Sequence, residues 1–148
     1  GHSSQILKQI PNGYLYAFDQ DKEAIKSADQ RLKAIRDNYE IINTNFVNIK
    51  EEITKRIDHV DGILFDLGVS SPQLDEADRG FSFHKDAPLD MRMNQDQELS
   101  AYDVVNTYSL KELIKIFKVY GEEKYASSIA KGIIKARENK DIKTTLEW

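Results

Sequence analysis

The chain has 148 residues, 40% of them apolar, enough for one domain with a real core, or for one domain and part of a second. It has no cysteine, which excludes disulfides, thiolate metal sites and thiol nucleophiles and suits a reducing cytoplasm. The net charge of −4 is not that of a typical nucleic-acid binder, yet residues 109–148 sum to +3 and residues 1–108 to −7.

That basic end can face phosphates, or it can be an ordinary solvated helical surface. No apolar run approaches the ~20 residues that span a bilayer. Gly1–Gln5 has neither the basic nor the apolar region of a signal peptide.

In chain order, residues 3–10 read as a helix with Ile6, Leu7 and Ile10 on one face, stopped by Pro11-Asn12-Gly13. Tyr14–Phe18 is a short aromatic-rich apolar run and reads as a buried strand ending on Asp19. Residues 22–36 carry Ala24, Ile25, Ala28, Leu32 and Ile35 at helical spacing, with Asp21 placed to cap the first turn. Glu40–Phe46 reads as a second strand and residues 47–57 as a weak helix. Gly62–Phe65 reads as a third buried strand, ending on Asp66, and its unbroken apolar character suits a parallel sheet. Strands alternating with helices predict an α/β, doubly wound fold.

Residues 67–99 lose regular periodicity and form a long loop. It keeps Leu67, Val69, Leu74, Phe81, Phe83, Leu89 and Met91, so it is expected to pack and to be functional. From residue 101 the pattern is helical. Ser109 to Glu112 is a capping box ahead of Leu113, Ile114 and Phe117, and Gly121 breaks that helix. Residues 122–138 predict another helix with Tyr125, Ala126, Ile129 and Ile133 inward. Thr144 to Glu147 is a further capping box and predicts the start of a helix where the sequence stops; with a helix opening almost at residue 1, this predicts a fragment. Two domains are expected, residues 1–100 and 101–148.

In a doubly wound sheet ligands gather outside the carboxyl ends of the strands, where Asp19 and Asp66 fall. Asp19 stands 18 residues after Gly1, near the spacing at which an acid grips ribose hydroxyls. It serves equally as a turn or cap residue. Gly1-His2-Ser3 opens a helix whose free N–H groups suit a carboxylate, or it is an accident of the terminus. Asp66-Leu67-Gly68-Val69-Ser70-Ser71-Pro72-Gln73 gathers a carboxylate, a glycine and an amide at the same crevice, or is a plain turn. Arg79-Gly80-Phe81-Ser82-Phe83 pairs a cation with aromatics that can stack on RNA or form core. Asp90 and Arg92 can pair with each other, or one can meet substrate. His2, His59 and His84 are isolated, so no metal site is expected.

Gly62–Asp75, followed by Arg79-Gly80-Phe81-Ser82-Phe83 and Pro88-Leu89-Asp90-Met91-Arg92-Met93, closely resembles the bacterial ribosomal RNA small-subunit cytosine-N4 methyltransferase family. Gly1-His2-Ser3, Ala17–Asp21 and Tyr120–Glu123 resemble further segments of it, so the likeness covers essentially the whole chain. It implies a Rossmann-like, class I methyltransferase sheet interrupted by a helical insert, with S-adenosylmethionine as cofactor. Gly1 and His2 would border its methionine part, Asp19 would hold the ribose hydroxyls and Phe46 would flank the adenine. Asp66 and Gln73 would complete the pocket near the methyl.

The resemblance also implies transfer to a cytidine N4 of small-subunit ribosomal RNA, with Asp66 as first candidate for the acceptor of the amino N–H and Asp90 as second. Arg79, Phe81 and Arg92 would hold the RNA. The family has a strand and glycines ahead of Gly1, and strands after its insert, that this sequence lacks. The expected consequence is a gap in the sheet, leaving unpaired backbone edges and a chain that is inactive alone, rearranged or completed by a second copy as a homodimer. Two other classes fit less of the sequence: a non-catalytic ribosome-binding module, and a nicotinamide-binding oxidoreductase, against which the lack of an intact G-x-G-x-x-G counts.

Overall fold

The computed structural model describes residues 1–148, which divide into two compact units: Gly1–Asp66 with Met93–Gln95, and Leu67–Arg92 with Asp96–Trp148. The sequence reading places its boundary at residue 100 instead. No helix is long and apolar enough to cross a membrane.

The first unit is α/β. It runs α1 (His2–Gln9), β1 (Leu15–Asp19), α2 (Lys22–Lys33), β2 (Tyr39–Asn43) and α3 (Ile49–Thr54). β1 and β2 pair in parallel, Leu15 opposite Tyr39 and Asp19 opposite Asn43. The parallel pairing follows from the crossover through α2, since parallel neighbours need a long connection. Leu7 of α1, Leu32 of α2 and Ile42 of β2 are buried. Asp21 caps α2 as expected, its carboxylate accepting from the Glu23 amide at 3.0 Å. Asn38 ties the start of β2 to the preceding loop, donating to the Gly13 carbonyl at 2.6 Å and to that of Ile10 at 3.0 Å.

Two elements end earlier than their patterns predict. α2 stops at Lys33 because the Ile35 and Arg36 amides both turn back to the Leu32 carbonyl. β2 stops at Asn43 because the Asn45 side chain accepts from the Val47 amide at 3.1 Å and starts a single 3₁₀ turn, Phe46–Asn48. An Asn that bonds its own backbone two residues on competes directly with strand continuation.

The third strand is absent. The sheet has two strands, and Gly62–Phe65 pairs with neither. Ile63, Leu64 and Phe65 are 60%, 58% and 57% exposed. β-propensity expresses the fit of a side chain to a pleated, half-buried surface, and without a neighbouring strand to supply that surface the apolar run has no ladder to join.

The second unit is helical. Its core joins Leu89, Val105, Leu113, Ala130, Ile133 and Ile142, drawn from the loop, from α5 (Ala101–Thr107), α6 (Leu110–Lys115) and α7 (Ala126–Arg137), and from the segment after α7. The Ser109–Glu112 capping box forms as predicted, and the same device appears at Ser100–Asp103. α6 continues as one wide turn of π-helix, Ile116–Tyr120.

Three expectations fail here. α7 begins at Ala126, not at residue 122, and Tyr125 and Ile129 are exposed. Ala126, Ala130 and Ile133 take the inward stripe; Tyr125 and Ile129 sit roughly 100° behind it. Thr144–Glu147 forms a turn and no helix. Thr144 bridges Pro88, the Leu89 amide donates to the Lys143 carbonyl, and the Thr145 hydroxyl donates to the Lys85 carbonyl at 2.7 Å, so these groups serve the loop. Finally, the 67–99 segment packs only in part: Leu89 is buried and Phe81 half-buried, while Leu67, Val69, Leu74, Phe83 and Met91 are exposed.

That segment also holds structure the periodicity did not reveal. Ser70 and Gln73 form a capping box that opens a short helix, α4 (Ser71–Asp75). Pro72 lies in its first turn, where its missing N–H costs nothing. Gly80 has φ +71°, and a Cβ there would lie 2.6 Å from the Pro88 oxygen and 2.7 Å from the Asp90 nitrogen. Only glycine allows the chain to fold back on itself at this point.

Candidate functional site

Within the first unit, four separate contacts lie at or beside the strand-end residues, joined to one another only through neighbours in the sequence. β1 ends on Asp19, whose Oδ1 accepts from the Asp21 amide at 2.8 Å, which orients the carboxylate and leaves Oδ2 open. The next residue, Gln20, accepts through Oε1 from the Asn45 amide nitrogen at 3.2 Å. Beside Asn45, the Phe46 ring meets Phe65 edge-on, with centroids 6.2 Å apart. Phe65 precedes Asp66, and the Asp66 Oδ2 lies 2.8 Å from the His2 Nδ1. His2 follows Gly1, where an added Cβ would meet nothing within 4 Å.

Gly1, His2, Asp19, Phe46 and Asp66, all singled out in the sequence, fall within the first unit, with His2 against Asp66 and Phe46 against Phe65. The fold adds four residues the sequence reading missed. Gln20 and Phe65 are adjacent to strand-end acids, and that adjacency was a usable signal. Asn45 was hidden by the expectation of a strand through residue 46. Met93, whose sulfur accepts from Gln20 at 3.7 Å, comes from a distant part of the chain and had no local signal.

The arrangement suits a nucleoside. A carboxylate with a free oxygen accepts from vicinal hydroxyls, and two exposed phenylalanines offer flat apolar surface to a purine.

The remaining candidates belong to the second unit. Gln73 is buried, and its Oε1 accepts from the Ser70 amide at 2.9 Å as half of the α4 cap. Asp90 and Arg92 do pair: the Asp90 carboxylate accepts from Arg92 Nε at 3.0 Å and from its terminal nitrogen at 2.8 Å. Asp90 raises the Arg92 guanidinium above its ordinary range. A carboxylate already holding a guanidinium in this way is a poor acceptor for a further proton. Arg79 is buried against the loop, 5.9 Å above the Phe81 ring, and donates to the Arg92 carbonyl at 3.1 Å. Asp90 and Arg92, with Leu89, Ser100, Tyr102 and Asp103, line an open cleft of about 470 Å³.

The MraW methylase family matches residues 1–148.

The chain belongs to the MraW methylase family.

Among its relatives are proteins named ribosomal RNA small subunit methyltransferase H. The one from Exiguobacterium sibiricum is 55% identical over 148 residues, 99% of this chain and 47% of its own length. The one from Spiroplasma kunkelii is 56% identical over 147 residues, 98% of this chain and 47% of its own. The one from Clostridioides difficile is 54% identical over 149 residues, 99% and 48% respectively. The chain therefore spans about half the length of the curated relatives it matches.

Proposed function

We propose that the protein carrying this chain transfers a methyl group from S-adenosylmethionine to the N4 amino group of a cytidine in small-subunit ribosomal RNA, acting in the cytoplasm. The observation that carries the reading is the set of contacts at Asp19, at Phe46 and Phe65, and at Asp66 and His2. Its strand-end acids and two exposed phenylalanine rings support a nucleoside as ligand, in a member of a methylase family. The cofactor, when bound, supplies an electrophilic methyl group.

This chain's residues would divide the work as follows. Asp19 accepts from the two ribose hydroxyls, and its bond from the Asp21 amide fixes the carboxylate's direction in advance. Phe46, now with Phe65, flanks the adenine. Gly1 and His2 border the methionine portion, and Gln73 is assigned to the cofactor by the family resemblance alone. The cytosine N4 lone pair is delocalised into the ring, so a group that accepts one of its N–H bonds helps to localise it. Asp66 is the better candidate for that acceptor. Asp90 is second, because its oxygens hold Arg92.

Phe81 and Arg92, together with the basic helices after residue 100, hold flanking RNA; a contact from Arg79 requires its loop to open. The base must leave its stack to be reached. The helices of residues 101–148 are read as part of an insert into a Rossmann-like class I sheet, with the boundary at residue 100. The unpaired Gly62–Phe65 run supports the reading that the chain as it stands is inactive alone, or is completed by a second copy as a homodimer.

The test is calorimetry and turnover on the intact protein. S-adenosylhomocysteine should bind and NAD should not, and Asp19→Ala should weaken that binding at least tenfold. Asp66→Ala should abolish transfer. Wild-type turnover in the Asp66 variant would remove it from the mechanism.

A further inference from the structure

The short connection between α6 and α7 exposes two tyrosines. Tyr120 closes the π-helical turn after α6, and Tyr125 is the residue ahead of α7. They are 75% and 74% exposed, and neither makes a hydrogen bond or a ring contact within the chain. Tyr39 and Tyr102, by contrast, give their hydroxyls to Asp29 and Asp141. The backbone between the two exposed rings is closely held. The Glu123 amide turns back to the Phe117 carbonyl at 2.9 Å, and the Tyr125 amide donates to the Glu123 carboxylate at 2.7 Å. A Cβ on Gly121 would lie 2.9 Å from the Phe117 oxygen. Glu122 sits at φ +51°, a left-handed conformation that costs a glutamate energy. Exposed Lys118 and Lys124 stand two positions before Tyr120 and one before Tyr125, and neither is in an ion pair.

We propose that Tyr120 and Tyr125 form a stacking platform for single-stranded RNA, with Lys118 and Lys124 against its phosphates. This deepens the functional reading above and rests on it, because RNA as the partner belongs to that reading. Any base can lie on an aromatic ring, so a ring on a held backbone supports a strand without reading its sequence. The two tyrosines flank one connection and stand at the same end of the α6 and α7 pair, with at most ~18 Å of chain between them. One short stretch of RNA can therefore meet both. The connection's own charges cancel, Glu122 and Glu123 against Lys118 and Lys124, so stacking supplies the preference for this surface. The +3 of residues 109–148 supplies the general attraction to phosphate. A purely apolar partner would leave two hydroxyls and two ammonium groups without partners, whereas a nucleic-acid strand offers acceptors to all four.

The test is binding of a short single-stranded oligouridine to the intact protein, followed by fluorescence anisotropy across a salt series. Tyr120→Ala and Tyr125→Ala should each weaken binding roughly tenfold with the salt dependence unchanged, because stacking is a contact between uncharged surfaces. Lys118→Ala should instead flatten the salt slope by about one. Tyr120→Phe and Tyr125→Phe should keep the affinity, and Tyr120→Leu and Tyr125→Leu should lose it. Both rings are exposed, so the variants' denaturation midpoints should match the wild type. Wild-type affinity in the double alanine variant overturns the proposal. So does full affinity in the leucine variants, which would mark an apolar contact without stacking. So do rings already shielded from solvent in the intact protein before RNA is added, which would assign them to its own packing. Turnover separates the platform from the functional reading. At saturating RNA the double alanine variant should keep kcat, and a fall there would place the rings in the reaction and overturn the proposal. A wild type that binds the oligouridine but transfers no methyl overturns the functional reading and leaves the platform standing.

Discussion

At the scale of single residues, the side chains that shape this molecule act by committing their polar atoms. Asn45 ends β2 by bonding its own backbone, and Asp90 accepts from the Arg92 guanidinium. Tyr39 is the clearest case with a measurable consequence. Its hydroxyl donates to the Asp29 carboxylate at 2.7 Å. Burial, reinforced by that acid, pushes the phenol up from 10.0 to about 12. A folded-state value above the unfolded one means that the folded chain holds the proton more tightly. The associated stability is fully present below pH 10 and is lost as pH rises through about 12. Chemical denaturation followed across that window should show the fall in wild type and a flatter profile in Tyr39→Phe. Equal slopes in the two proteins would mean that Tyr39 does not carry the dependence.

At the scale of elements, the helices of the second unit are legible from their caps and the first unit from its alternation. Ser109-x-x-Glu112 and Asp21 predicted helix starts that the structure reproduces, because a cap is a local exchange of hydrogen bonds that needs no distant partner. α6 and α7 then hold together by burial. Leu113 is fully buried in a cluster with Ala130 and Ile133. Leu113→Ala should cost about 2–5 kcal/mol, as expected for truncating a buried leucine. The change should appear as a lowered denaturation midpoint with helical content kept at low denaturant. A loss below about 1 kcal/mol would show that the cluster refills the cavity. Where the pattern misled, as at Tyr125 and Ile129, both stripes were apolar enough to be inward, and packing chose the one built on alanines.

At the scale of the whole molecule, the governing fact is a sheet with two paired strands and a third apolar run left outside it. Parallel strands are stable when both faces and both edges are covered, and here Ile63, Leu64 and Phe65 face solvent. Backbone amides of Gly62–Asp66 should accordingly exchange hydrogen at rates near those of an unfolded chain, while those bonded between β1 and β2 are protected. Protection across residues 62–66 in the same chain would show that a second copy, or a rearranged segment, pairs with them. The intact protein should show that protection in any case, if the run is a strand there.

The sequence alone determined the class of the fold, most helix starts and the family, and it singled out Gly1, His2, Asp19, Phe46 and Asp66, all of which fall in the first unit. It could do so because caps, alternation and strand-end acids are local patterns whose chemistry is carried within a few neighbouring residues. Tertiary structure alone decided that Gly62–Phe65 is unpaired, that Met93 reaches Gln20, that Asp90 belongs to Arg92, and that the His2 ring lies against Asp66. Each of these depends on which distant atom arrives first at a backbone edge or a carboxylate, and a linear pattern holds no record of that competition.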